Sequence, residues 1–195
     1  MTRGRGQAFF SAAVILVALL ASCLSAPTRI FTLEPIAAAA IVPYGGPALR
    51  IDSVHVPPPM DRIEIMTERA PGEFRINDLD HWAAPLAQMV RQVLTADLVV
   101  RLPEGRVIFP NLAKSTGALG VDLDILAVSA DAKGTYLEAS WMINSDDSKL
   151  RLARRTVLLK GYTPSSNAAA TTRALSQLLG QLADRISEEL AAGTP

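Results

Sequence analysis

Apolar and polar positions divide the chain into a short series of elements. A nearly unbroken apolar run, Ala8 to Leu20, stands behind Arg3 and Arg5. Arg29 to Leu33 then alternates apolar with polar residues, which predicts a strand, because successive strand side chains point to opposite faces. Residues 35–47 hold Pro35, Pro43, Pro47, Gly45 and Gly46 and read as loop. Ala48 to Val56 predicts a second strand, stopped by Pro57-Pro58-Pro59, which cannot donate to a ladder. Arg62 to Thr67 and Glu73 to Ile76 flank Ala70-Pro71-Gly72, a turn signal, and predict a hairpin.

Asp78 and Asp80 precede a predicted helix over Ala83 to Val100, with Pro85 in its first turn, where a missing N–H costs nothing. Leu86, Met89, Val90, Val93, Leu94 and Leu98 recur at helical spacing and define a core stripe. Pro103-Glu104-Gly105 breaks the chain, Arg106 to Phe109 predicts a short strand, and Asn111 to Thr116 a loop. Three long alternating stretches follow. Val121, Leu123, Ile125 and Ala127 share one face of the first, and Leu137, Ala139, Trp141 and Ile143 one face of the second. Lys149 to Gly161 is the third, and short turns between the three predict an antiparallel meander. Asn167 offers an N-cap to a last helix, Ala168 to Ala192, with Leu175, Leu178, Leu179, Leu182, Ile186 and Leu190 on its apolar face and Gly193 at its end.

The fold expected is α+β: a single mixed, mostly antiparallel sheet of five to seven strands packed with two long helices. The helix between the early strands and the meander is placed to act as a crossover, which would make a parallel pair. A hydrophobic fraction of 49% supports a sizeable core, although only 5% of residues are aromatic.

The N-terminal run is shorter than the about 20 apolar residues of a permanent span, and its positive start and small residues read as a signal peptide. Leu20-Ala21-Ser22-Cys23 resembles the bacterial lipobox, in which cleavage falls between the residues here numbered Ser22 and Cys23. The cysteine of a lipobox receives an S-diacylglyceryl group and an N-acyl chain. Three regions are therefore expected: a signal peptide over 1–22, a lipidated tether over 23–28, and a domain over 29–195. Arg3-Gly-Arg5 is not a twin-arginine pair, so export by the general secretion route is expected. In similar lipoproteins an Asp after the cysteine retains the protein in the inner membrane, so Leu24 implies the outer membrane, facing the periplasm.

Removing residues 1–22 from the 195-residue chain leaves 173, with 17 Lys+Arg against 19 Asp+Glu. That balance gives no electrostatic basis for binding nucleic acid. Cys23 is the one cysteine of the chain, so once acylated it leaves the domain without a disulfide or a thiol ligand.

Candidate chemistry is sparse. His55 and His81 lie far apart and at no metal-ligand spacing. Asp122 and Asp124 share a strand face, which suits a cation or acid–base work but is more simply a solvated sheet face. Asp146-Asp147 reads as a turn. Arg151, Arg154 and Arg155 form a basic cluster, read as a solvated strand edge, with a phospholipid head-group or partner contact as the alternative. No phosphate loop, nucleophile elbow or metal motif is present, so no catalytic residue, metal or cofactor is assigned.

The order of pieces carries a further resemblance. Phe31-Thr32-Leu33-Glu34-Pro35 follows the lipobox; Val56-Pro57 precedes Asp61-Arg62; Ile65-Met66-Thr67 comes next; and His81-Trp82-Ala83-Ala84-Pro85-Leu86 opens a helix. The series resembles the ABC-type transport auxiliary lipoprotein family over nearly the whole mature chain. The resemblance implies an outer-membrane lipoprotein, not an enzyme, that serves an intermembrane lipid transport system. Its implied partners are an MCE-domain transport protein and inner-membrane permease components, with phospholipid nearby, and its implied assembly is a homo-oligomeric ring. A structural or assembly lipoprotein of the cell envelope and a soluble-ligand binder are the other readings. The meander strands or the segment Pro57–Pro71 are expected to carry the partner surface.

Overall fold

The structure, a computed structural model, describes residues 26–70, 72–131, 134–145, 151–161 and 167–193. Its strands are β1 (Arg29–Phe31), β2 (Leu49–His55), β3 (Glu64–Ala70), β4 (Glu73–Trp82), β5 (Val107–Ile108), β6 (Leu119–Asp131), β7 (Gly134–Ser145) and β8 (Arg151–Gly161). The helices are α1 (Leu86–Val99) and α2 (Ala168–Ala192), with a single 3₁₀ turn at Pro58–Met60.

The expected single sheet is corrected to two. A three-stranded sheet has the order β1-β4-β3, and a five-stranded sheet has the order β5-β2-β6-β7-β8. The cause lies in β4, which continues through Trp82 where the sequence pattern ends it at Ile76. Its last residues pair with β1 on one side, in the parallel register Arg29↔Asp80 to Phe31↔Trp82, and with β3 on the other. Both neighbours of β2 are likewise filled, by β5 and β6, so β4 and β2 are interior strands of separate sheets.

The crossover expectation holds. With α1 between them, β2 runs parallel to both β5 and β6. The meander is as read: β6, β7 and β8 pair antiparallel, with Leu123 opposite Trp141 and Leu137 opposite Leu159. A bulge between Ile125 and Ala127 resets the alternation in β6, leaves Leu126 exposed and corrects the expected place of Ala127, which is exposed opposite Glu138 while Val128 takes the core face opposite Leu137.

Both helices lie on one face of the larger sheet, α1 over β2 and β5, and α2 over β7 and β8. The predicted apolar stripes are all buried: Leu86, Met89, Val90, Val93, Leu94 and Leu98 on α1, and Leu175, Leu178, Leu179, Leu182, Ile186 and Leu190 on α2. They close over Val121, Leu123, Leu137, Ala139 and Ile143, each at or near zero exposure. Each buried aliphatic side chain of this kind contributes about 1.5–3 kcal/mol relative to exposure.

Helix α1 starts at Leu86, three residues later than the sequence predicts. Pro85 is its N-cap, with ψ 132°, and its carbonyl accepts from the N–H groups of Gln88 and Met89. The tight ring geometry preceding Leu86 holds Ala84 out of the helix. At the start of α2, Asn167 Oδ1 accepts the Ala170 N–H at 3.0 Å, as expected of an Asn cap.

The breaker-rich loop after β1 is pinned like an element. It crosses both helices as a strap. The Glu34 N–H donates to Ser176 Oγ at 3.1 Å and the Ile36 N–H to Asp97 Oδ1 at 2.6 Å. Further on, the Val42 N–H donates to the Arg101 carbonyl at 2.7 Å. Among the described residues no helix is long and apolar enough to cross a membrane. Signal peptide, lipobox and tether start lie outside the described residues.

Candidate functional site

Three of the short motifs that carry the family resemblance converge on the three-stranded sheet. Phe31 sits opposite Trp82, whose N–H donates to the Ile63 carbonyl at 2.7 Å, and the Ala83 N–H donates to the Phe31 carbonyl at 2.8 Å. The segments around residues 31, 63–66 and 82–85 thus form one continuous strip, although Phe31 and Trp82 stand 51 positions apart in the chain.

A charged clamp fixes β1 to this strip. Arg29 donates from Nε to Asp80 Oδ1 at 2.6 Å and from Nη2 to Oδ2 at 2.7 Å, a two-pronged pair, and its guanidinium lies 5.7 Å from the centre of the Phe31 ring. The Asp80 side chain is 5% exposed and also accepts from Asn77 Nδ2 at 2.8 Å. Bidentate pairing of a buried carboxylate is among the stronger polar contacts a protein makes. At the start of β3, Arg62 Nε donates to Glu64 at 2.9 Å, and that hydrogen bond holds the Glu64 carboxyl below its usual range.

Three concavities border the sheet. An apolar crevice of about 40 Å³ lies between Met60, Met66, Phe74, Trp82, Val128 and Leu175. It is far smaller than the roughly 300–1,000 Å³ of ligand pockets. Two open hollows are larger. One of about 400 Å³ is lined by Arg62, Ile63, Trp82, Ala84 and Pro85. The other, of about 350 Å³, separates Ile30 to Glu34 from Arg173 and Gln177 of α2.

Among the described residues, those singled out from sequence do not assemble into a reaction centre, although His55 and Asp124 are register partners on β2 and β6. His55 ends β2 in the larger sheet and is exposed, while His81 is in β4 of the smaller sheet with Nε2 2.9 Å from the Asp78 carbonyl oxygen. Asp122 accepts from Ser53 Oγ and from Asn144 Nδ2, the latter at 2.6 Å, so its carboxylate ties β6 to the strands on either side. Asp124 lies opposite Ser140 on the sheet face that the helices leave uncovered. Among the described residues no group of three His, Cys, Asp or Glu side chains is placed to hold a metal ion. The side chains of Arg151, Arg154 and Arg155 lie outside the described residues, as do Ser22, Cys23, Asp146 and Asp147.

Sequence reasoning missed one cluster. Asp97 and Arg101 are 0% and 2% exposed. Arg101 donates from Nε to Asp184 Oδ1 at 2.6 Å and from Nη1 to the carbonyls of Ile36 and Asp97. Asp97 Oδ2 is buried with no hydrogen-bond partner, and burial pushes the Asp97 carboxyl up to about 6. Its signal was available: Asp97 follows Val93 and Leu94 on the apolar stripe of α1, where a charge needs a buried partner.

This α+β arrangement has known counterparts. One is a crystal structure described as that of an uncharacterized protein, 18% identical, with a TM-score of 0.66, covering 85% of this chain and 99% of its own. Another is protein XCC0632 from Xanthomonas campestris, of family DUF330, 17% identical, with a TM-score of 0.64, covering 85% of this chain and 100% of its own. At such identities the likeness is one of fold. None of the curated proteins matches this chain.

The class is thus an α+β domain of two mixed sheets with a clamped small sheet. Residues 31–187 match the family described as ABC-type transport auxiliary lipoprotein component, and the chain belongs to that family.

Proposed function

We propose that this protein is an outer-membrane lipoprotein that faces the periplasm and docks the far end of an MCE-type conduit of an ABC-type lipid transport system. Cys23, diacylglycerylated on its sulfur and N-acylated once cleavage behind Ser22 frees its amine, is its anchor. The observation that carries this reading is the position of that cysteine, the one thiol of the chain, six residues ahead of β1 in a domain that matches a lipoprotein family. Two or more acyl chains hold a protein stably at a bilayer, since each buried methylene contributes about 0.8 kcal/mol. The domain then acts by position and company, binding the MCE-domain protein and its permease components as a ring of identical subunits. The sheet face that carries Asp124, Leu126 and Leu158 is the partner surface favoured here, because no helix covers it.

Labelled palmitate and affinity capture test this together. The wild type is expected to take up label, fractionate with the outer membrane and retain an MCE-domain protein, whereas Cys23→Ala loses the label and the membrane. An unlabelled wild type, or capture without any MCE-domain protein, would refute the reading.

A further inference from the structure

Along β4 two apolar side chains are partly uncovered, at the mouth of the crevice that Phe74 shares with Val128 and Leu175. Phe74 is 50% exposed and Ile76 39%, with Glu73 and Arg75 exposed between and beside them. Glu68 and Met66 lie opposite Phe74 and Ile76 on β3, and β1 pairs only with the last three residues of β4. On the β1 side, residues 73–79 of β4 therefore extend past the end of the described partner strand.

The chain enters β1 from the same end as that extension. Arg29 is the register partner of Asp80, and β1 runs parallel to β4. Cys23 stands six positions before Arg29, and Phe74 six positions before Asp80. At full extension six residues reach about 20 Å, and six strand residues rise about 20 Å. Laid back along β4, a fully extended tether would bring the lipid attachment point level with Phe74.

We infer that the tip of the β3–β4 hairpin is a membrane-dipping arm, which seats Phe74 and Ile76 at the headgroup–acyl boundary of the bilayer that holds the Cys23 lipid. The inference rests on the acylation proposed above. A ring and a branched aliphatic chain gain from leaving water there, and a neighbouring arginine can stay among phosphate groups. A second contact beside the lipid would fix the tilt of the domain, which acyl chains on a short tether leave free.

Because acylation consumes the one native thiol, a cysteine introduced elsewhere is a unique labelling site. Full-length Phe74→Cys, Ile76→Cys and, as the reference, Leu158→Cys, on the far edge strand, would be matured in cells. Each is then labelled with an environment-sensitive fluorophore and reconstituted into phospholipid vesicles with or without nitroxide-bearing headgroups. Circular dichroism checks each fold, and Ile76→Cys carries the test should Phe74→Cys misfold.

The expected result is a blue shift with loss of intensity to the nitroxide at 74 and 76, and neither at 158. Aqueous emission at all three positions, in protein that floats with the vesicles, overturns the arm and leaves the anchor standing. A blue shift that grows with protein concentration and is insensitive to the nitroxide assigns the patch to a second copy, and overturns it too. The mass of the mature chain is read first: an unacylated Cys23 removes the anchor, and the arm with it.

Discussion

Asp97 accepts the backbone N–H of Ile36 at 2.6 Å while its other carboxylate oxygen, buried beside Arg101, has no hydrogen-bond partner. A loop residue is thereby held by a charge that the interior disfavours. Arg101 lies 3.7 Å away and Asp184 shares the same guanidinium, so the three side chains lock the strap, α1 and α2 together.

The pH dependence of this contact has a defined sign. Burial raises the Asp97 carboxyl from 3.8 to about 6, so the folded chain holds that proton more tightly than the unfolded one. Its contribution to stability is full below about pH 3.8 and is lost as pH rises through 6. Asp97→Asn is therefore expected to destabilise more at pH 4.5 than at pH 7, by urea titration at both. A deficit that instead grows toward pH 7 would mean the ionised carboxylate is the favoured form.

Gly180 of α2 faces Ile36 across the same strap. A Cβ there would stand 2.9 Å from the Ile36 Cβ and 3.3 Å from its two γ carbons. Gly to Ala inside a helix ordinarily gains about 1 kcal/mol. Here crowding outweighs that gain, and Gly180→Ala is expected to lower stability by roughly 1–3 kcal/mol. A raised melting temperature would contradict the close seat of the strap.

The Arg29–Asp80 clamp is asymmetric. The Arg29 side chain is 56% exposed and can return to water, whereas Asp80 at 5% cannot. Arg29→Ala leaves a buried carboxylate that still accepts from Asn77 but has lost its counter-charge, and is expected to cost about 2 kcal/mol or more. Asp80→Ala is expected to cost less, because it removes the buried charge itself. Equilibrium denaturation orders the two variants, and hydrogen exchange at residues 29–31 reports the loss of β1.

Asp122 is bound by neutral donors on both flanks. Asp122→Asn should change stability by less than about 1 kcal/mol, and added calcium, magnesium or zinc should leave the melting temperature where it was. A metal-dependent rise that Asp122→Asn abolishes would restore the cation reading of that face.

What the sequence disclosed follows from the range of the forces involved. Both apolar helix stripes and the three meander strands have periodicities complete within their own stretch, so Leu86 to Leu98 and Val121 to Ile143 could be placed unaided. The small sheet depends on distant partners. Residues 77–82 include Asn77, Asp78, Asp80 and His81, poor strand formers whose pattern resembles a helix cap. They extend as a strand because Arg29, 51 positions earlier, neutralises Asp80. The buried Asp97 likewise hid inside a stripe counted by its apolar members, while its partners arrive from the strap and from α2.

The parallel pairing of β1 with β4 also sets how a load on the anchor would be borne. Traction on the N-terminal end of β1 runs along the strand axis, so its ladder bonds and the Arg29–Asp80 pair resist in shear, together instead of one after another. Behind them, the strap fastens the next residues to both helices, and slack reaches the hydrophobic interior only after each of those fastenings has yielded in turn.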